Sequence, residues 1–169
     1  MQSPFFSENI MIHEHCGNLF DLFSTVTTDQ TALHIIAHGC NAQGKMGSGF
    51  AKELRKRHQL AYDVYHTRYT NQNGLKLGEV VYAAPNNNLI IANCITQEYY
   101  GNDGKKYVSY DAIDLAFNSM NEFIKNEPQE IHVHFPKIGA DLGGGNWNVI
   151  KEIIDHRLVN AEKHLYILK

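Results

Sequence analysis

The sequence predicts an α/β domain in three layers, α/β/α, built on a central mixed, mostly parallel sheet of about six strands. Three observations lead there. Short apolar runs rich in β-branched residues alternate along the chain with stretches of helical periodicity, the pattern of strands joined by helical crossovers. Turn clusters divide the segments at Asn73-Gly74, at Pro85 through Asn88, at Asn102-Asp103-Gly104 and at Glu127-Pro128. No segment repeats, and 169 residues are one domain's worth of chain.

Strands are predicted over 10–16, 32–37, 79–84, 88–95, 131–135 and 165–168. Helices are predicted over 49–57, 60–69, 110–125 and 146–158. The third is the clearest, because Ile113, Ala116, Phe117, Met120, Phe123 and Ile124 fall on one helical face. Ser109 is its expected cap, and Asp111 stands in its first turn, where a carboxylate complements the helix dipole. In the last helix Trp147, Ile150, Ile153, Ile154 and Leu158 form the apolar stripe, with Asn146 as cap. Residues 1–9 carry no periodic signal and read as a flexible arm, which leaves 10–169 as the domain.

Charge and composition narrow the function. With 15 Lys+Arg against 18 Asp+Glu the net charge is −3, which argues against a duplex-DNA binder, since such a protein needs a basic field. A small anion remains a compatible ligand, because a few backbone amides hold a phosphate without net positive charge. No apolar run reaches the roughly 18 to 20 residues of a membrane span, and no leader-like stretch opens the chain, so no membrane partner and a cytoplasmic location are expected, host cytoplasm if the source is viral.

Cys16, Cys40 and Cys94 are too widely spaced for a CxxC metal knuckle and odd in number for a disulfide framework, so reduced buried thiols are expected. His13/His15 and His132/His134 are each two apart and would share a strand face, as metal-chelating pairs can. No third ligand lies near either pair in sequence. No metal and no cofactor are therefore expected, and the histidines are expected at solvated or core-edge positions.

Two glycine-rich loops carry the chemistry. The run Leu33 to Ala37 feeds His38-Gly-Cys-Asn-Ala-Gln-Gly-Lys-Met-Gly-Ser-Gly49 and then a helix, and Ile131 to Phe135 feeds Pro136-Lys-Ile-Gly-Ala-Asp-Leu-Gly-Gly-Gly145 and then another. At the carboxyl ends of strands, such glycines let backbone amides approach a phosphate with a helix dipole behind them. Two loops of this plan suggest a diphosphate; the alternative is that the glycines only turn tight corners. Gly39 to Met46 nearly matches a P-loop, but Met46 stands where a Mg²⁺-binding hydroxyl is needed. Gly47-Ser48-Gly49-Phe50-Ala51-Lys52 starts like a dinucleotide fingerprint and ends in Lys, with no acidic residue at a strand end about 20 residues on.

Taken together, the loop from His38 to Ala51, the stretch Ile-Ala-Asn-Cys-Ile-Thr-Gln97 and Pro136-Lys-Ile-Gly-Ala-Asp-Leu-Gly-Gly-Gly-Asn-Trp147 resemble the macro domain. The resemblance runs from about Ile10 to the end of the sequence. It is greatest to the branch holding yeast-type ADP-ribose-1''-phosphate phosphatases and terminal ADP-ribose protein glycohydrolases, phage and bacterial members above all.

The resemblance implies a site residue by residue. Asn18 and Leu19 would hold the adenine, with Asn18 where the family usually has Asp; Asn18 equally suits the cap of a helix starting at Leu19. Asn41 would orient the distal ribose, Gly47, Ser48 and Gly49 would wrap that ribose and a phosphate, and Gln97 would line the ligand. Ile138, Gly139, Ala140, Leu142, Gly143 and Gly144 would cradle the diphosphate. Asp141 falls beside the expected anomeric carbon, where it would activate water, or else it caps the loop. His38 matches a histidine of the phosphatase-like members and is the candidate general acid; the alternative is a histidine satisfied at a strand end. The glycohydrolases' nucleophilic Lys has no counterpart in Ile95-Thr-Gln-Glu98, and their catalytic Asp is replaced by Gly143. The residues 97–111 suit a lid over the ligand, with Tyr99, Tyr100 and Lys105 near substrate; the alternative is that these loop residues are only solvated.

The implied activity is metal-independent hydrolysis at the distal C1'' of ADP-ribose, phosphate being the leaving group, with His38, Asn41 and Asp141 as catalytic residues. The alternatives are a mono-ADP-ribosyl hydrolase acting on modified protein or nucleic acid, and a non-catalytic ADP-ribose reader. The implied partners are ADP-ribose or ADP-ribose-1''-phosphate, with ADP-ribosylated macromolecules under the first alternative.

Overall fold

The computed structural model describes residues 11–26 and 31–169, without the side chains of 24–26. The arm expected over 1–9 lies outside them. In chain order the elements are β1 (His13–Cys16), α1 (Leu19–Val26), β2 (Leu33–Asn41), α2 (Gly49–Arg57), α3 (Gln59–Asn71), β3 (Val80–Asn86), β4 (Leu89–Gln97), α4 (Tyr110–Ile124), β5 (Ile131–Phe135), α5 (Trp147–Arg157) and β6 (Glu162–Ile167). The six strands form one sheet in the order β1-β6-β5-β2-β4-β3. Only the β3–β4 pairing is antiparallel.

Helices cover both faces, as a mostly parallel sheet requires. On one face Ile113, Phe117 and Met120 of α4 and Ile150 and Ile154 of α5 pack against Ile35, Val133, Phe135 and Leu165. On the other, Leu19 of α1, Leu54 of α2 and Ala61 of α3 pack against Ile36, Leu89, Ile91 and Tyr166. Each large aliphatic buried this way contributes about 1.5 to 3 kcal/mol. The expected caps form: Ser109 accepts from the Ala112 amide and Asn146 from the Asn148 amide. No helix among the described residues is long and apolar enough to cross a membrane.

Three strands outrun their predicted ends, β3 by two residues to Asn86. β2 continues to Asn41 because β4 keeps pairing with it, His38 with Asn93, Gly39 with Cys94 and Cys40 with Ile95, until a bulge between Cys40 and Asn41. β4 correspondingly reaches Gln97. The first loop therefore begins about four residues later than the apolar run suggests.

Of the two histidine pairs, His13 is exposed and His15 and His132 lie at the core edge, as expected, whereas His134 is fully buried. Residues two apart on a strand share a face, and the register aligns His13 with His164, His134 with His164, and His34 with His132. The result is a ladder of stacked imidazoles across four strands, with His134 and His164 centroids 4.7 Å apart. His15 bonds His164 at 3.0 Å, His164 bonds His132 at 2.9 Å, and His134 bridges His34 at 2.9 Å and the Tyr166 hydroxyl at 2.7 Å. Among the described residues no group of three or more His, Cys, Asp or Glu gathers to hold a metal ion. Cys40 and Cys94 are buried as expected, whereas Cys16 is exposed.

Candidate active site

β2 and β5 are neighbours, and the chain leaves β2 for α2 on one face of the sheet and β5 for α5 on the other. Strand ends diverging in this way open a crevice beyond the carboxyl edge. A cavity of about 490 Å³ fills it, within the range of small-ligand sites. Both glycine loops line it, as does the end of β4.

The first loop is shaped by Asn41. Its side-chain oxygen accepts from the Gln43 amide at 3.0 Å, the Lys45 amide at 3.3 Å and the Tyr65 hydroxyl at 3.0 Å, while its amide donates to the Lys45 carbonyl at 2.8 Å. Tyr65 OH also donates to the Asn41 carbonyl at 2.6 Å, which ties α3 to the loop. One amide N–H of Asn41 stays available to the cavity, so this residue organises the loop first and can reach a ligand second. Beyond it Gly47, Ser48 and Gly49 lead into α2, and Gly49 has φ +56°, a conformation that favours glycine. Ser48 occupies the N-cap position yet makes no side-chain cap bond, so its hydroxyl and the first α2 amides are open to an anion. Asn41→Ala is expected to lower stability by about 1 to 3 kcal/mol in a denaturant melt, through the orphaned loop amides.

The second loop folds on itself. The Gly145 amide donates to the Gly139 carbonyl at 2.8 Å and the Gly144 amide to the Asp141 carbonyl at 3.1 Å. A Cβ on Gly145 would stand 2.6 Å from Val108 and 2.8 Å from Gly139 O, so there the glycine is needed for packing, as the tight-corner alternative holds. Ile138, Gly139, Asp141, Leu142 and Gly143 line the cavity; Ala140 and Gly144 do not. The Asp141 side chain makes no hydrogen bond or ion pair among the described residues, so it caps nothing, and it is the one carboxylate on a cavity wall that also carries Lys45, Arg55 and Lys137.

His38 differs from the expectation. Because β2 runs past it, its ring turns under α2 and α3, 1% exposed, with Nε2 2.6 Å from the Asn93 side-chain oxygen and Phe50 5.8 Å away. Burial lowers its pKa to about 4, against the raising effect of the Asn93 bond, so the imidazole is neutral near pH 7. His38 nonetheless lines the cavity, as a neutral ring whose Nε2 is engaged by Asn93. Asn93 in turn donates to the Ala61 carbonyl at 3.1 Å, so His38 anchors α3 to the sheet.

Asn18 and Leu19 do not line the cavity. The Asn18 oxygen accepts from the Phe20 amide at 2.9 Å, the capping alternative, and Leu19 is buried. Phe20 nonetheless stacks on the cavity-lining Phe50 at 4.9 Å, which sets the start of α1 beside one end of the crevice.

Gln97 lines the cavity and donates to the Tyr99 carbonyl at 2.7 Å. Of the segment after it, Tyr100 and Gly101 face the cavity; Tyr99, Lys105 and Asp111 do not. The Tyr107 and Val108 amides both donate to the Gly143 carbonyl, at 2.8 and 3.0 Å, and pin this segment to the second loop. Sequence reasoning missed Thr96, fully buried at the wall with its hydroxyl unpartnered, and Arg55 with Tyr62. Only the pairing of β2 with β4 and of α2 with α3 brings them in, and neither leaves a local signal.

No protein-family model matches the chain. A phage T4 protein described as an uncharacterized 17.5 kDa protein is 32% identical over 122 residues, 71% of this chain and 77% of that protein. A Debaryomyces hansenii protein named ADP-ribose 1''-phosphate phosphatase is 24% identical over 174 residues, 88% of this chain and 96% of the other. Among solved structures, a Bacteroides thetaiotaomicron protein of unknown function superposes with TM-score 0.79 at 26% identity, over 95% of this chain and 99% of that one. The Streptomyces coelicolor macrodomain protein gives 0.72 at 24% identity over 93% and 99%. Thermosipho africanus DarTG, solved with ADP-ribose, gives 0.69 at 18% identity over 94% of this chain and 42% of that one. With its sheet order and its two glycine loops, the chain has the macro-domain fold, which the Streptomyces coelicolor structure shares.

Proposed function

We propose that this macro domain binds ADP-ribose in the crevice and hydrolyses ADP-ribose-1''-phosphate to ADP-ribose and inorganic phosphate. The observation that carries the proposal is the unpaired Asp141 carboxylate among cavity-lining cations, facing the same space as Asn41 and the open amides of Gly47 to Gly49. The name of the Debaryomyces hansenii relative and the ADP-ribose held by Thermosipho africanus DarTG support it.

In this scheme the α2 N-terminus and the two loops hold the diphosphate and distal ribose, and Asn41 fixes the loop that positions the sugar. Asp141 accepts a proton as water attacks C1'', and the C1''–O bond breaks with its electron pair leaving on phosphate. Phosphate is a stable anion that departs without a proton from the protein, so the chemistry tolerates a neutral His38. Release of an amide or alkoxide would require a proton from the protein in the same step, which release of phosphate does not. A phosphorus NMR time course with ADP-ribose-1''-phosphate tests the scheme: the inorganic phosphate signal should grow as the substrate signal decays. An unchanged spectrum beside saturable ADP-ribose binding would instead make the domain a reader.

A further inference from the structure

We infer that Arg55 selects substrates bearing a phosphate on the distal ribose, an inference that rests on the reading of the crevice as an ADP-ribose site. Arg55 lines the cavity, and its guanidinium lies 3.5 Å over the centroid of the Tyr62 ring. Tyr62 is itself stacked on His66 at 5.2 Å, and His66 reaches the Gly44 carbonyl at 3.3 Å, so the platform is tied to the first loop. A planar cation held on an aromatic face keeps its fork ordered before a ligand arrives.

The arginine has no acidic partner among the described residues. The nearest carboxylate on its own helix, Glu53, is taken by Lys56 at 3.7 Å and Arg57 at 3.1 Å on another side of α2. Arg55 is therefore not one member of a solvated ion-pair lattice, which is what a helical arginine usually is. It shares the cavity with Lys45 and Lys137, also without ion pairs, against Asp141 alone. An excess of positive charge in one cavity of a chain with net charge −3 calls for an anionic ligand. The diphosphate already has the open amides of the first loop and the N-terminus of α2.

Direction follows from the helix. Phe50 faces α1 through its stack with Phe20, whereas Ala51 and Arg55, one turn apart, face α3. Phe50, in the first turn, and Arg55, in the last, thus mark opposite flanks of α2. With the nucleoside on the α1 flank and the diphosphate across the helix end, the C1'' substituent projects toward Arg55. A guanidinium there matches a terminal phosphate through two parallel charge-assisted bonds.

The test compares two affinities by calorimetry, ADP-ribose-1''-phosphate and ADP-ribose, in wild type and in Asp141→Asn, where turnover does not deplete the ligand. The phosphorylated ligand should bind at least about tenfold tighter, the worth of a charge-assisted pair. In Arg55→Met, whose unbranched stem still covers Tyr62, that ratio should collapse to within about twofold while ADP-ribose affinity holds within about twofold. Arg55→Lys should keep part of the ratio, and Arg55→Gln replaces Arg55→Met should the latter melt early. A ratio that survives Arg55→Met, or equal weakening of both ligands, overturns the assignment. A ratio abolished by Arg55→Met with no phosphate release from wild type would sink the phosphatase reading and leave Arg55 as the selector.

Discussion

Asp141→Asn is expected to lower the turnover of ADP-ribose-1''-phosphate by about 10² to 10⁴, the usual contribution of a positioned general base. ADP-ribose affinity should change by less than about threefold, because the loop's shape comes from backbone bonds. Those bonds, Gly145 to Gly139 and Gly144 to Asp141, leave the carboxylate out, so removing its charge neither unfolds the loop nor frees an amide. Steady-state kinetics beside calorimetry separates the two outcomes. A rate retained within about threefold would leave Asp141 a bystander and shift the search for a base to bulk water.

The second large effect concerns stability in acid. His38 is neutral in the fold, its pKa held near 4 by burial. His134 and His164 are pushed down as well, first by burial and then by the neighbouring imidazoles of the ladder. In the unfolded chain each returns to about 6.5. The unfolded state then binds more protons than the native state at every pH from about 6.5 down to the folded values. Stability is complete above about pH 6.5 and falls as the pH drops below it, by at most about 1.4 kcal/mol per pH unit for each group. Three such groups remove roughly 4 to 6 kcal/mol by pH 5, comparable with the whole stability of many domains. Urea midpoints measured at pH 7.5, 6.0 and 5.0 should therefore decline steadily. A midpoint that stays level across this interval would mean that the imidazoles protonate within the folded state.

What the sequence made legible is what short-range chemistry decides. The caps Ser109 and Asn146, the apolar faces of α4 and α5, and the two glycine loops after strands are each written within a dozen residues, and each formed. Asp141 was legible for the same reason, since its loop is built almost wholly from its own backbone. The surroundings of His38 were not, because whether β2 stops at residue 37 or 41 depends on its pairing with β4, which carries the strand alternation through residue 38 and sets its ring beside Asn93. The histidine ladder needed the register of four strands at once, so two-residue spacing alone could suggest only separate pairs at solvated or core-edge positions. Arg55 reads in sequence as one more cation on a basic helix end; only the packing of α2 on α3 puts Tyr62 beneath it.

Every functional role proposed above requires the crevice between the ends of β2 and β5 to be an ADP-ribose site. Calorimetric titration of the wild-type protein with ADP-ribose at pH 7.5 tests that most directly. The predicted result is one saturable site per chain, with Kd at or below about 10 µM and AMP bound at least about tenfold more weakly. No saturable heat at about 1 mM ADP-ribose, or equal affinity for AMP, would contradict it.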